Sequence, residues 1–122
     1  MKNNLEKKPL VTFGKFENID MRVVKVIEAP MAQDTKSPCR VFKLDAGVLG
    51  TIVSVGQFAL LPEEKLVGKN VVACVNLGSR QMGPYISEAL VMGAPHPESP
   101  EDQSQATPLF VDSGAIPGSR IF

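Results

Sequence analysis

Val71-Val72-Ala73-Cys74-Val75 is an uninterrupted apolar run, closed by Asn70 on one side and by Asn76-Leu77-Gly78 on the other. It is too short for a self-supporting helix and rich in β-branched residues, so it predicts a strand buried on both faces. Before it, Pro62 fits a first helical position and Glu63 and Glu64 favour the positive end of a helix. Lys65 suits the last turn, and Gly68 can take the left-handed conformation that stops it. The helix these residues predict is one or two turns long. After the strand, Ser79-Arg80-Gln81-Met82-Gly83-Pro84 reads as a basic loop, and residues 86–92 as a further, nearly uncharged strand.

The rest of the chain supplies three more strands. Met21–Glu28 contains Val23, Val24, Val26 and Ile27 and reads as the first strand, entered through Phe13–Asp20. Ala29–Pro38 has two prolines and no periodicity, and is a loop. Cys39–Ala46 sets Arg40, Phe42 and Leu44 against Val41, Lys43 and Asp45, a half-exposed strand. Gly47 and Gly50 bracket a tight connection to Thr51–Val55. Five short strands, with the helical signal between the third and the fourth, match an all-β, five-stranded oligonucleotide-binding (OB) barrel of partly open Greek-key form. Residues 1–12 are expected to form an N-terminal arm and residues 13–95 the barrel domain. Residues 96–122 are expected to be an extension that packs on the barrel or on a second subunit. Residues 94–108 are rich in proline and poor in bulky apolar side chains and cannot supply core, whereas Leu109-Phe110-Val111 and Ile121-Phe122 regain apolar character.

A length of 122 residues suits one domain, and 43% hydrophobic with 21% charged residues is ordinary for a globular protein. No apolar run approaches the roughly 20 residues that cross a bilayer, and Met1–Pro9 does not resemble a signal peptide, so the expected location is cytoplasmic, without membrane insertion. The net charge is zero, but unevenly spread. Residues 1–95 carry 12 Lys and Arg against 9 Asp and Glu, a balance of +3, and residues 96–122 carry Arg120 against Glu98, Glu101, Asp102 and Asp112, a balance of −3. A mildly basic body can bind phosphate with moderate, salt-sensitive affinity. Cys39 and Cys74 sit among strand residues and are expected to be reduced, buried thiols.

Catalysis is not expected. His96 is the sole histidine and lies between two prolines, which leaves no Cys-His or Ser-His pair on rigid elements. Gly68-Lys69-Asn70 lacks the earlier glycine and the following hydroxyl of a P-loop. No spacing of His, Cys and carboxylates resembles a zinc site, and no cofactor is implied.

Several segments together resemble the tRNA-binding domain family, which includes free-standing tRNA-binding proteins, the C-terminal appendages of methionyl-tRNA synthetases and the CsaA-type export-related chaperones. Asp20-Met21-Arg22-Val23 is similar to the family's opening Asp-x-Arg-Val, Asp45-Ala46-Gly47 to its Asp-x-Gly turn, and Asn76-Leu77 to the end of its fourth strand. Arg80, Met82, Ile86-Ser87-Glu88 and Val91-Met92 stand where it carries its loop-and-strand signature. Lys36-Ser37-Pro38-Cys39 and Ser87-Glu88-Ala89-Leu90 depart from the usual Ala-Asp-Lys-Leu and Ser-x-Gly-Met and lean toward the CsaA pattern.

The resemblance implies a non-catalytic protein that recognises tRNA or other structured RNA through backbone contacts. The alternative is a dimeric chaperone that receives extended, unfolded polypeptide. The candidate RNA-binding residues are Lys36, Arg40, Lys43, Arg80, Tyr85 and Ser87. Each also has a plainer reading: Lys36, Arg40 and Lys43 could solvate an exposed strand face, Ser87 could satisfy a backbone group, and Arg22 could be an ion-pair partner of Asp20. Tyr85, beside the basic loop, is the one aromatic expected to stack on a base. The apolar segments of the tail point to a homodimer.

Overall fold

Alternation along the strands builds one packed interior. In the computed structural model, which describes residues 5–99 and 104–122, a short helix α1 (Phe13–Glu17) leads into β1 (Met21–Glu28), followed by β2 (Arg40–Asp45), β3 (Thr51–Gly56) and β4 (Asn70–Cys74). Val24 and Val26 of β1, Phe42 and Leu44 of β2, and Val71 and Ala73 of β4 are almost completely buried and face one another. Phe58, beyond β3, stacks on Phe42 with ring centroids 5.3 Å apart, and Leu66 closes one end. Cutting one of these large side chains back to alanine costs about 2–5 kcal/mol, through lost transfer energy and the cavity left behind.

The main sheet is antiparallel. β4 pairs with β1, β1 with β2, and β2 with β3. A bulge between Val26 and Glu28 shifts the β1–β2 register and bends the sheet round the core. The outer edge of β4 is shared by two short strands, β7 (Leu90–Val91) against Ala73–Cys74 and β10 (Phe110–Val111) against Asn70–Val71. Between them β8 (Gly93–Pro95) pairs with β9 (Ala106–Pro108). The barrel is not closed by a backbone ladder. At the outer edge of β3 the Val53 amide donates to Glu88 Oε1 (3.0 Å), the Val55 amide donates to Ser87 Oγ (3.0 Å), and the Glu88 amide donates to the Val53 carbonyl (2.7 Å). Side chains thus complete what a strand would otherwise supply. The molecule is an all-β, OB-like fold with terminal extensions.

The helical signal at Pro62–Gly68 forms the expected short turn between β3 and β4, a 3₁₀ helix over Glu63–Lys65 that ends where the Gly68 amide is drawn to the Val26 carbonyl at 2.7 Å. A helix outside the sequence reading lies at Phe13–Glu17, where the Thr12 hydroxyl accepts from the Lys15 amide at 3.2 Å and caps it. Two local expectations are corrected. The basic segment 79–84 is not a loop but the first half of a hairpin. β5 (Arg80–Met82) pairs with β6 (Tyr85–Ser87) through a Gly83-Pro84 turn, and residues 88–89 interrupt the expected fifth strand.

The tail returns to its own barrel. Where β2 ends, residues 118–121 take its place along β1: the Gly118 amide donates to the Val23 carbonyl (2.7 Å), the Val23 amide to the Ser119 carbonyl (2.9 Å) and the Ile121 amide to the Met21 carbonyl (2.8 Å). Arg22 fastens this ribbon, giving Nε to Asp20 Oδ1 (2.7 Å) and Nη1 to the Gly118 carbonyl (3.0 Å). The hydrogen bond with Arg22 holds the Asp20 carboxyl below the usual carboxylate range. Gly47, at φ +60°, and Gly118, at φ +92°, let the two segments cross closely; a Cβ on Gly47 would collide with the Pro117 carbonyl oxygen. Both cysteines are buried free thiols, and burial pushes the Cys39 thiol up.

Candidate nucleic-acid interface

The outward face of β2 and β3 is bordered by two loops that touch. One is the segment 31–38 between β1 and β2, anchored at its base by a bridge between Met31 and Arg40 and at its end by Gln105 Nε2, which donates to the Pro38 carbonyl (3.0 Å). The other is the β5–β6 hairpin. The Gln33 amide donates to the Tyr85 hydroxyl at 2.9 Å. Gly83, at φ +57°, packs so closely that a Cβ there would meet the Asp34 carbonyl oxygen at 2.7 Å. Asp34 itself holds φ +56°, the only positive φ on a non-glycine residue among the described residues.

The six candidates divide. Lys36 and Arg80 are exposed, one on each of the two loops, and neither has an ion-pair partner among the described residues. Lys43 is exposed on the outward face of β2, opposite Val53, with its ammonium 3.6 Å from Glu28. Tyr85 is half-buried, its hydroxyl engaged as above. Ser87 is buried, accepting from Val55 and donating to the Ala89 carbonyl (3.1 Å), so its hydroxyl serves the backbone.

Arg40 corrects the expectation of an exposed cation. It points inward with Phe42 and Leu44, 8% exposed, giving Nη1 to the Ala29 carbonyl (2.6 Å) and Nη2 to the Leu61 carbonyl (3.0 Å), with Glu63 at 3.8 Å. Its alternation with Phe42 and Leu44 is the signal that places it inside. Arg22 likewise takes its ion-pair reading, its guanidinium spent on Asp20 and the tail.

Beside the hairpin lies a cleft of roughly 690 Å³ between β3, β7 and the β8–β9 pair. Arg80, Leu77, Met82, Leu90 and Pro95 line it, with Leu77 59% and Leu90 49% exposed. Sequence reasoning passed over Gln33 and Gln105 and gave Glu88 no structural role, yet all three tie distant segments together through hydrogen bonds. A single sequence shows no periodic signal for such contacts.

No protein-family model matches the chain. A stretch of 115 residues, 91% of the chain, is 33% identical to the methionine–tRNA ligase of Cupriavidus pinatubonensis, and the chain spans only 16% of that relative's length. Among solved structures, the chaperone CsaA of Bacillus anthracis str. Ames superposes with a TM-score of 0.82 at 26% identity, covering 93% of this chain and all of that one. The CsaA chaperone protein of Picrophilus torridus does so with 0.82 at 28% identity, over the same shares.

Proposed function

The chain belongs to the tRNA-binding domain family, with a CsaA-like pattern, and on that premise we propose that it is a non-catalytic protein that holds tRNA or another folded RNA mainly by its phosphates. The observation that carries this reading is the pair of touching loops, each presenting a cation, Lys36 or Arg80, that has no ion-pair partner among the described residues, at the border of an OB face that also bears Lys43. Loops and a strand face so arranged meet folded RNA by shape and charge without reading its bases. The residue inventory supports the absence of catalysis: Nδ1 of His96, the sole histidine, accepts from the Glu98 amide (3.1 Å) in a local turn.

A second reading rests on the cleft. Its exposed Leu77 and Leu90 suit an extended, unfolded polypeptide, as the CsaA likeness also suggests. Arg80 lines both surfaces, so salt separates the two ligands. RNA affinity is expected to fall with a log–log slope of about −0.7 to −0.9 per neutralised phosphate. Arg80→Ala should flatten that slope by about one contact and weaken different tRNAs alike. Leu90→Ser should lower polypeptide capture and leave the RNA slope unchanged. Binding of tRNA that is indifferent to both salt and Arg80 would move the assignment to the chaperone.

The protein is further read as a cytoplasmic homodimer. Phe13 and Phe16 of α1 stand beside Ile121 and Phe122 round a cleft of roughly 570 Å³ whose lining also includes Asp20 and Arg120. No helix among the described residues is long and apolar enough to cross a membrane.

A further inference from the structure

We propose that the Tyr85 hydroxyl is a latch that presets the 31–38 loop for RNA, making Tyr85 a positioning residue rather than a stacking platform. The inference rests on the RNA reading above and goes further, to how the binding edge is organised. Lys36 lies on a loop whose two ends are fixed by the Met31–Arg40 bridge and by Gln105. Between these anchors, the described hydrogen bond that ties the loop to the hairpin is the one from the Gln33 amide to the Tyr85 hydroxyl, at 2.9 Å. Van der Waals fit reinforces it, since Gly83 rests on the Asp34 carbonyl with no room for a methyl group.

Asp34 sits at φ +56°, in the left-handed region that few non-glycine residues adopt and that Asp and Asn tolerate best, so the loop turns sharply there. Thr35 continues the constraint, its hydroxyl donating to the Ser37 carbonyl at 2.8 Å across Lys36. A loop held in this way loses little further freedom when RNA arrives, so its cation contributes more of its attraction to affinity. Released, the same lysine would sample many positions, and its phosphate contact would be diluted.

The test is a cycle of four proteins, the wild type, Tyr85→Phe, Lys36→Ala and the double variant, with Tyr85→Ala beside them, each titrated with tRNA at low and physiological salt. Tyr85→Phe keeps the ring and removes only the hydroxyl. It should weaken tRNA binding on the order of threefold to tenfold at low salt and flatten the salt slope by about 0.7 to 0.9, the loss of one phosphate contact. Lys36→Ala in the Tyr85→Phe background should add almost nothing, where a merely structural role would leave the two losses additive. Hydrogen exchange reads the latch without any ligand: the Gln33 amide should be protected in the wild type and exchange faster in Tyr85→Phe. Additive losses, an unprotected Gln33 amide in the wild type, or a Tyr85→Phe protein that binds like wild type while Tyr85→Ala loses affinity at constant slope would each overturn the latch. A wild-type protein without salt-dependent tRNA binding defeats the RNA reading itself, and the role given to Lys36 falls with it, whatever the exchange data show.

Discussion

Two basic residues three positions apart on β2, Arg40 and Lys43, have opposite fates. Arg40 occupies an inward position of the alternation, and its guanidinium answers two carbonyls from separate turns, while Nε is buried without a hydrogen-bond partner among the described residues. Arg40→Ala should therefore leave the Ala29 and Leu61 carbonyls unsatisfied and cost about 1–3 kcal/mol, visible as a lower midpoint in urea. Lys43, exposed and loosely paired with Glu28, should change stability by no more than about 0.5 kcal/mol when replaced by alanine. Equal midpoints for the two variants would contradict the burial of Arg40. A positive charge next to Phe42 in the sequence says nothing about phosphate until the strand's phase is respected.

At the scale of elements, the strands β1 to β4 were legible because their apolar residues alternate or run together; burial follows that pattern in β2 and β4, whereas Ile27 of β1 is exposed and Ser54 of β3 is buried. The hairpin at 80–87 was not, since Gly83-Pro84 reads as loop chemistry and the flanking residues are half-exposed and lack a strong period. Nor was α1: its first turn carries no acid and none of its residues is buried, so only the Thr12 cap marks it. The candidate site was legible as a cluster of cations but not as a geometry, because Gln33, Glu88 and Gln105 act through contacts that span from 35 to 67 positions. Glu88 gives the sharpest test at this scale. Its carboxylate stands in for a strand at the edge of β3, so Glu88→Ala should speed hydrogen exchange of the Val53 amide while β2–β3 pairing elsewhere keeps its protection. Glu88→Gln retains a carbonyl acceptor and should behave like the wild type.

For the whole molecule, the apolar residues of the tail divide between two tasks. Phe110 and Val111 extend the sheet on β4 through their backbone while the Phe110 side chain stays 49% exposed, and Phe122 joins α1 at a second exposed surface. Light scattering at micromolar concentration should give twice the monomer mass. Phe16→Asp, placing a charge on that surface, should halve it without lowering the thermal midpoint by more than a few degrees; a monomeric wild type would remove the dimer.

Arg22 and Gly118 hydrogen-bond across 96 positions of sequence, and the ribbon they fasten fills the edge that β2 leaves bare on β1. The first strand of the barrel is thus completed by a segment far along the sequence. Such a pairing is reached late, after the loop-closure entropy of the 96 positions between the two has been overcome. During synthesis, β1 must wait with an open edge and the apolar Val23 uncovered, able to pair with any other extended chain that meets it.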